Sequence, residues 1–364
     1  VKAPILTALD LPAASPGGSV ELLYDLYTGA APLIDAQVFM LNPEAPHTGV
    51  PAGVHLLAVG GKCLDGPLFW TYVEKLRYAL AARIDPCDVG VVHLQHLAFG
   101  ATAALIRLLP RHPHLALVHG TDLLLAAAHP TQRRVLHQAT KAARAIVVPT
   151  AAMAAELHRL APDARCARLV HIPWGIPDQL LRTPPRPRPR REGPLRLLYA
   201  GRLTPRKGVD VVAATLTAMP GLHLSIAAPP GEYAACAARL AWAGCRPAYL
   251  GWLPRTELWQ AFADHDVLIV PSVTLEAFGL VALEAQACGL PVVYRLVPGL
   301  TEVLAESALG VDLADLGALA QILIQLQTDP AMLTDLRAAG LRNAARFPLS
   351  ATAAALNALS EQIV

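Results

Sequence analysis

Along the chain, short apolar runs rich in β-branched residues alternate with longer stretches whose apolar positions fall three and four residues apart. The first pattern belongs to strands buried on both faces, the second to helices with one buried face. Strands are predicted at Ile5–Leu9, Ala36–Met40, Val54–Val59, Val89–Leu94, Leu115–Val118, Ala145–Pro149 and Leu169–Pro173. A second series follows at Leu195–Tyr199, His223–Ala227, Ala248–Leu253, Val267–Val270 and Val292–Tyr294. Helices are predicted around Leu22, Leu23 and Leu26, then at Phe69–Ala82, Thr131–Ala145, Ala151–Leu160 and Gly279–Cys288. From Ser307 to Leu341 the pattern is mostly helical, and Ser350–Ile363 is a last Ala/Leu helix. Such alternation predicts an α/β fold on parallel sheets.

The pattern breaks clearly at Thr183–Glu192, TPPRPRPRRE. Proline fixes an extended backbone and removes donors, and neighbouring Arg residues repel, so this stretch cannot join a core. Residues 179–194 are read as a linker between a first domain, 1–178, and a second, 195–345, with 346–364 as a terminal helical segment. At 364 residues the chain has room for a core in each domain.

Hydrophobic residues are 54% and charged residues only 16%, which raises the question of membrane spans. The longest uncharged stretches are Val89–Ile106 and Val211–Gly231. His93, Gln95 and His96 interrupt the first and a Pro220-Gly221 turn the second, so neither reads as a spanning helix. No charged-then-apolar leader opens the sequence. The net charge of +2 gives no reason to expect a nucleic-acid partner. Six Cys, at 63, 87, 166, 236, 245 and 288, show neither a CxxC nor zinc spacing. Reduced thiols in a cytoplasmic protein are the simplest reading.

The most informative stretch is Asp266–Val293, DVLIVPSVTLEAFGLVALEAQACGLPVV. It reads as strand, loop, helix, turn, strand. Glu276 falls in the loop at the strand's C-terminal edge, where open α/β sheets bind ligands, and Glu284 falls in the next helix. A helix start offers free amides to a phosphate. Two carboxylates beside a diphosphate repel it unless they face hydroxyls, and a carboxylate matches a vicinal diol. A nucleotide-sugar presents both features.

This stretch resembles the signature of retaining GT-B glycosyltransferases of the group 1, family 4 type. The matching residues are Glu276, Phe278-Gly279 and Glu284-Ala285, followed by Gly289-Leu290-Pro291-Val292. A second match is Gly201-Arg202-Leu203 with Lys207-Gly208. The resemblance implies two Rossmann-like domains facing across a cleft, with a last helix that packs back on the first domain. It implies that Arg202 and Lys207 hold the departing diphosphate, that Glu276 binds the donor sugar and Glu284 the ribose. Ala277, Phe278, Gly279 and Leu280 would complete the donor loop, and Trp252 and Leu253 would sit by the base. The implied chemistry is retaining transfer of a hexosyl unit from a nucleoside diphosphate sugar, most simply UDP-glucose or UDP-GlcNAc. That nucleotide-sugar is a co-substrate. No metal or other cofactor is required in this scheme, because the two cations do a metal's electrostatic work.

The first half matches only in outline. Gly17-Gly18, in the first strand-to-helix loop, lets amides approach an oxygen-rich ligand, with a plain tight turn as the other reading. By resemblance His119 lies near the donor sugar; a cap on the next helix or a satisfied core histidine is the other reading. Trp174-Gly175 stands where the family has Asn-Gly, which removes a usual polar contact. Glu21, Asp25, His93, His96 and Asp122 are candidate contacts for a small acceptor such as a cationic aminocyclitol from a secondary-metabolite pathway, with a sugar or lipid acceptor as the other reading. His93 and His96 also admit a metal reading, but no acidic or Cys partner of ligand spacing stands near. Other classes fit less of the sequence. A glycosidase leaves Arg202 and Lys207 without purpose, an exported sugar-binding protein needs a leader, and a nucleotide-sugar epimerase needs acid and base groups at the sugar.

Overall fold

The computed structural model describes residues 4–43, 50–162, 168–189, 193–208, 222–242, 246–312 and 315–364. Residues 190–192 of the Pro/Arg stretch, the Pro220-Gly221 turn, Cys166 and Cys245 lie outside them. The chain divides into two compact units: Val1–Trp174 with Leu349–Val364, and Gly175–Pro348.

In the first unit the strands are β1 (Ile5–Pro12), β2 (Ala36–Leu41), β3 (Val54–Leu57), β4 (Val91–Gln95), β5 (His114–Leu117), β6 (Ala143–Val148) and β7 (Arg168–His171). Among the described residues they form one parallel sheet in the order β3-β2-β1-β4-β5-β6-β7. β4, β5 and most of β1 and β6 are buried, as parallel strands under helices on both faces must be. The helix Leu349–Ile363 packs into this unit. Thr352 donates to the Pro173 carbonyl over 2.9 Å, and Ser360 lies 2.8 Å from the imidazole of His93.

The second unit carries β8 (Leu195–Ala200), β9 (Leu222–Ala227), β10 (Ala248–Gly251), β11 (Val267–Val270), β12 (Val292–Arg295) and β13 (Leu309–Val311). Among the described residues these too are all parallel, in the order β10-β9-β8-β11-β12-β13. Leu197, Ile226, Ile269 and Val293 meet Leu319, Leu323 and Leu326 of the helix Leu316–Thr328 in one core. β13 corrects the helical reading of the stretch from Ser307. The extended stretch after Thr183 lies against this unit: the Arg188 amide donates to the Ala263 carbonyl, and its guanidinium pairs with Asp264 at 2.7 Å.

In both sheets the strand order reverses once, between β1 and β4 and between β8 and β11. The loops that leave these neighbours diverge to opposite faces and open a crevice at the C-terminal edge. No helix among the described residues is long and apolar enough to cross a membrane.

Candidate active site

At the switch point of the second unit, the loop after β8 meets the loop after β11. β8 is followed by Gly201, whose φ of 144° only glycine tolerates well, and the chain then makes a single 3₁₀ turn, Pro205–Lys207. Gly208 closes that turn in the left-handed region at φ 66°. A Cβ there would sit 2.2 Å from the Pro271 carbonyl oxygen, so the two loops touch backbone to backbone. The Val273 amide fixes them by donating to the Arg206 carbonyl over 2.8 Å.

This contact brings Lys207 onto Glu276. The ammonium donates to Oε2 at 2.5 Å, and Ser272 Oγ donates to the same oxygen at 2.8 Å. Burial alone pushes the Glu276 carboxyl up. The Lys207 charge and the two hydrogen bonds outweigh it and hold the group below the usual carboxylate range. Glu276 is therefore ionised at neutral pH, with an oxygen still able to accept from a hydroxyl.

Glu276 is set in turn by Gly299, the second residue of the helix Pro298–Leu304. A Cβ on Gly299 would fall 1.7 Å from the Glu276 carbonyl oxygen. Gly299→Ala should thus displace the Glu276 loop while leaving the sheet intact. A shift of about 1 Å at a reacting centre costs on the order of 100-fold. We expect a fall of that order in kcat/KM with an unchanged circular dichroism spectrum, and a loss under threefold would show that the loop does not place Glu276.

Arg202 has a partner the sequence did not reveal. Its Nε donates to Glu232 Oε1 at 2.6 Å, and the Leu203 amide donates to Oε2 at 2.7 Å. Glu232 lies in the first turn of the helix Pro230–Trp242. Glu284 sits in the helix Leu280–Ala287, with its side chain 8% exposed. Arg255 and Trp259 each hold one of its oxygens, at 2.6 and 2.8 Å. Neither was singled out by sequence. Ala277 and Leu280 are half-buried, Phe278 is buried, and Gly279 stands at φ 83° before the helix. Trp252 and Leu253 follow β10 at the same sheet edge, with Trp252 exposed.

In the first unit the polar candidates sort into half-buried and fully buried groups. Gly17, at φ 151°, precedes the helix Gly18–Tyr27, which has no side-chain cap. Glu21 and Asp25, four residues apart, share one half-buried face of that helix.

His93 is a correction to the acceptor reading. It is fully buried, and both ring nitrogens are taken, Nδ1 by Tyr27 and Nε2 by Ser360 at 2.8 Å each. Ser360 donates to the Leu356 carbonyl, so its oxygen accepts from His93 Nε2–H and the ring accepts from Tyr27. Asp122 is a second correction. It too is fully buried, and its oxygens accept from the Leu97 and His119 amides. Burial raises its pKa to about 6. A carboxylate so enclosed braces two loops and cannot greet a cation.

His119 Nε2 donates to Gln95 Oε1 at 2.8 Å, and Gln95 Nε2 donates to Thr7 at 3.1 Å. Burial depresses the His119 pKa to about 3, so the ring is neutral and its Nδ1 remains an acceptor. His96 stacks on Phe99 at 4.3 Å with φ at 57°, a strained value for a non-glycine residue. It is buried, and neither ring nitrogen has a hydrogen-bond partner. Asp10, not predicted from sequence, is buried nearby in β1 with Oδ1 likewise unmatched and Lys62 3.4 Å from Oδ2. Among the described residues no group of three or more His, Cys, Asp and Glu is arranged to hold a metal ion.

These histidines make stability pH-dependent. Burial lowers His93 and His119 to about 3 and His114 to about 4. The unfolded chain, with pKa near 6.5, then binds more protons than the folded one between those values, so stability falls as pH drops below about 6.5. Asp122, raised to about 6, works the other way from about 6 down to its ordinary value, but it is one group against three. We expect the first melting transition to move down steadily from pH 7 to pH 5. A flat or rising transition would mean that these rings are protonated in the folded chain.

The family model for glycosyl transferases group 1 matches residues 194–329, and that for glycosyltransferase family 4 matches residues 16–180. A D-inositol 3-phosphate glycosyltransferase 1 of Catenulispora acidiphila is 30% identical over 295 residues, 72% of this chain and 69% of that protein. A D-inositol 3-phosphate glycosyltransferase of Thermobispora bispora is 37% identical over 177 residues, 44% of this chain and 41% of that protein. The match to the latter thus spans about two fifths of its length. Among solved structures, sucrose-phosphate synthase from Thermosynechococcus elongatus aligns over 99% of both chains with TM-score 0.83 and 21% identity. Anabaena Alr3699/HepE in complex with UDP and glucose aligns over 99% of this chain and 100% of its own, with TM-score 0.74 and 17% identity. Both carry the GT-B fold, which these two parallel-sheet units share.

Proposed function

Because this chain belongs to the group 1 and family 4 glycosyltransferases, a family of transferase enzymes, we propose that it moves a hexosyl unit, with retention, from a nucleoside diphosphate sugar to a hydroxyl of a small acceptor. The observation that carries this reading is the meeting of Lys207 and Glu276 at 2.5 Å on the switch point of the second unit. A cation for the diphosphate and an ionised acid for the sugar hydroxyls stand side by side where a parallel sheet binds ligands.

In the proposed step the acceptor oxygen bonds to the anomeric carbon as its bond to the phosphate oxygen breaks. The acceptor's proton passes to that departing oxygen on the same face. Negative charge grows on the diphosphate, and Arg202 and Lys207 stabilise it. Both are already paired with carboxylates, but an ammonium has three donors and a guanidinium five, so each can add a phosphate oxygen without giving up its partner. Fixed beforehand, they need no reorganisation as charge develops. The scheme asks for no metal or other cofactor.

UDP-glucose and UDP-GlcNAc are the proposed donors, and the complex of HepE with UDP and glucose supports the uridine choice. The proposed acceptor is an aminocyclitol or related secondary metabolite, an assignment to which the D-inositol 3-phosphate glycosyltransferases lend a cyclitol precedent. Glu21, Asp25 and His96 are the first-unit residues we propose for it, and His119 the one nearest the donor sugar. A thermal-shift panel of nucleoside diphosphates and their sugars tests the donor. UDP and UDP-hexoses should raise the melting temperature by several degrees at saturating concentration. No shift with any of them would overturn the reading. With the best donor in hand, an acceptor screen follows, and an epimerised donor appearing without acceptor would point to the epimerase instead.

A further inference from the structure

The helix Arg255–Asp264 turns two side chains onto one carboxylate. Arg255 Nη2 lies 2.6 Å from Glu284 Oε1, and Trp259 Nε1 lies 2.8 Å from Oε2. The two donors are four residues apart and so share a helix face, with the guanidinium 5.6 Å from the indole ring centre. Glu284 itself is buried. Each of its oxygens has two acceptor directions and spends one of them on the protein. What remains is one accepting direction per oxygen, which matches hydroxyls on adjacent carbons. The guanidinium supplies the counter-charge that a buried carboxylate needs. It also cancels the repulsion Glu284 would exert on a neighbouring diphosphate. An indole N–H carries no charge and can only donate, so its contribution here is direction.

We propose that Arg255 and Trp259 are positioning residues that fix Glu284 as a two-point acceptor for a vicinal diol, and that they thereby make the donor site select ribonucleotides over 2′-deoxyribonucleotides. The inference rests on the nucleotide-sugar reading of the second unit. A 2′-deoxyribose leaves one accepting direction of the carboxylate unmet. Losing a hydrogen bond to a charged group costs roughly 10- to 100-fold in affinity.

Titration calorimetry on the full chain tests this, with UDP, ADP and GDP each run beside its 2′-deoxy form. The wild type should bind at least one ribonucleotide 10- to 100-fold more tightly than its deoxy partner. Trp259→Phe should shrink that preference to within about threefold while deoxy affinity stays near the wild-type value, because the lost donor aimed the carboxylate and did not touch the nucleotide. If Trp259→Phe does not fold, Arg255→Gln asks the same question at the other oxygen. Equal losses for both members of a pair would overturn the inference, since a merely structural role moves both. So would a wild type that binds the ribonucleotide without preference. Either result leaves the nucleotide site standing, whereas a folded wild type that binds none of the six would overturn both.

Discussion

Lys207→Ala should lower kcat/KM for transfer by about 100- to 1,000-fold, or about 3–4 kcal/mol of transition-state stabilisation, the usual cost of removing one preorganised group aimed at developing charge. Two functions disappear together. The diphosphate loses a cation, and Glu276 loses the charge that offsets its burial and holds its carboxyl low. The Glu276 pKa should therefore rise, and residual activity should fall off toward acid at a higher pH than in the wild type. Stability should fall modestly, because Lys207 is 36% exposed and such pairs contribute at most about 1 kcal/mol, while Glu276, 19% exposed, is left without its cation. Lys207→Arg, which keeps a cation, should keep the wild-type acid limb even where turnover falls. The measurements are steady-state rates of donor consumption between pH 5 and 8, alongside a thermal melt. Turnover within threefold of wild type in Lys207→Ala would remove the central cation from the mechanism.

Much of this site was legible because its geometry is local. The strand predicted at Val267–Val270 has those bounds in β11, and the helix after the Glu276 loop is within a residue of its predicted span at each end. Apolar β-branched runs and left-handed glycines mark such boundaries in the chain itself. The partners were hidden for the opposite reason. Glu232 reaches Arg202 across 30 positions, and Trp259 reaches Glu284 across 25, so no spacing announces them. His93 and Asp122 misled for a related cause. A polar residue in or shortly after a buried strand looks the same in sequence whether it faces a ligand or is satisfied from within. Only the bonds to Tyr27 and Ser360, from distant helices, distinguish the two for His93. β13 was lost in a helical stretch because three residues, Leu309–Val311, are too few to display a period.

Glu284→Ala should abolish most donor binding by a route distinct from Lys207. The carboxylate is proposed to accept from two ribose hydroxyls, and each hydrogen bond to a charged group is worth about 1.5–3 kcal/mol. Loss of both predicts a rise in the donor's dissociation constant of two to four orders of magnitude, on the order of 3–5 kcal/mol. The effect should appear in KM for the donor at least as strongly as in kcat, because the ribose is held before and during transfer. Stability should also fall. Arg255, 18% exposed, loses its bond to Glu284, and breaking a buried pair costs about 3–5 kcal/mol when the survivor stays buried. Arg255 lies at the start of its helix and can turn toward water, so about 1–2 kcal/mol is the fitting expectation, with a melt several degrees lower. Glu284→Gln separates the two effects. The amide fills the same space and still offers Trp259 an oxygen, so stability should largely return. Its single acceptor oxygen cannot serve both hydroxyls and Trp259, so donor affinity should stay low. A Gln variant with wild-type donor affinity would mean that Glu284 holds the helix Arg255–Asp264 in place and does not touch the nucleotide.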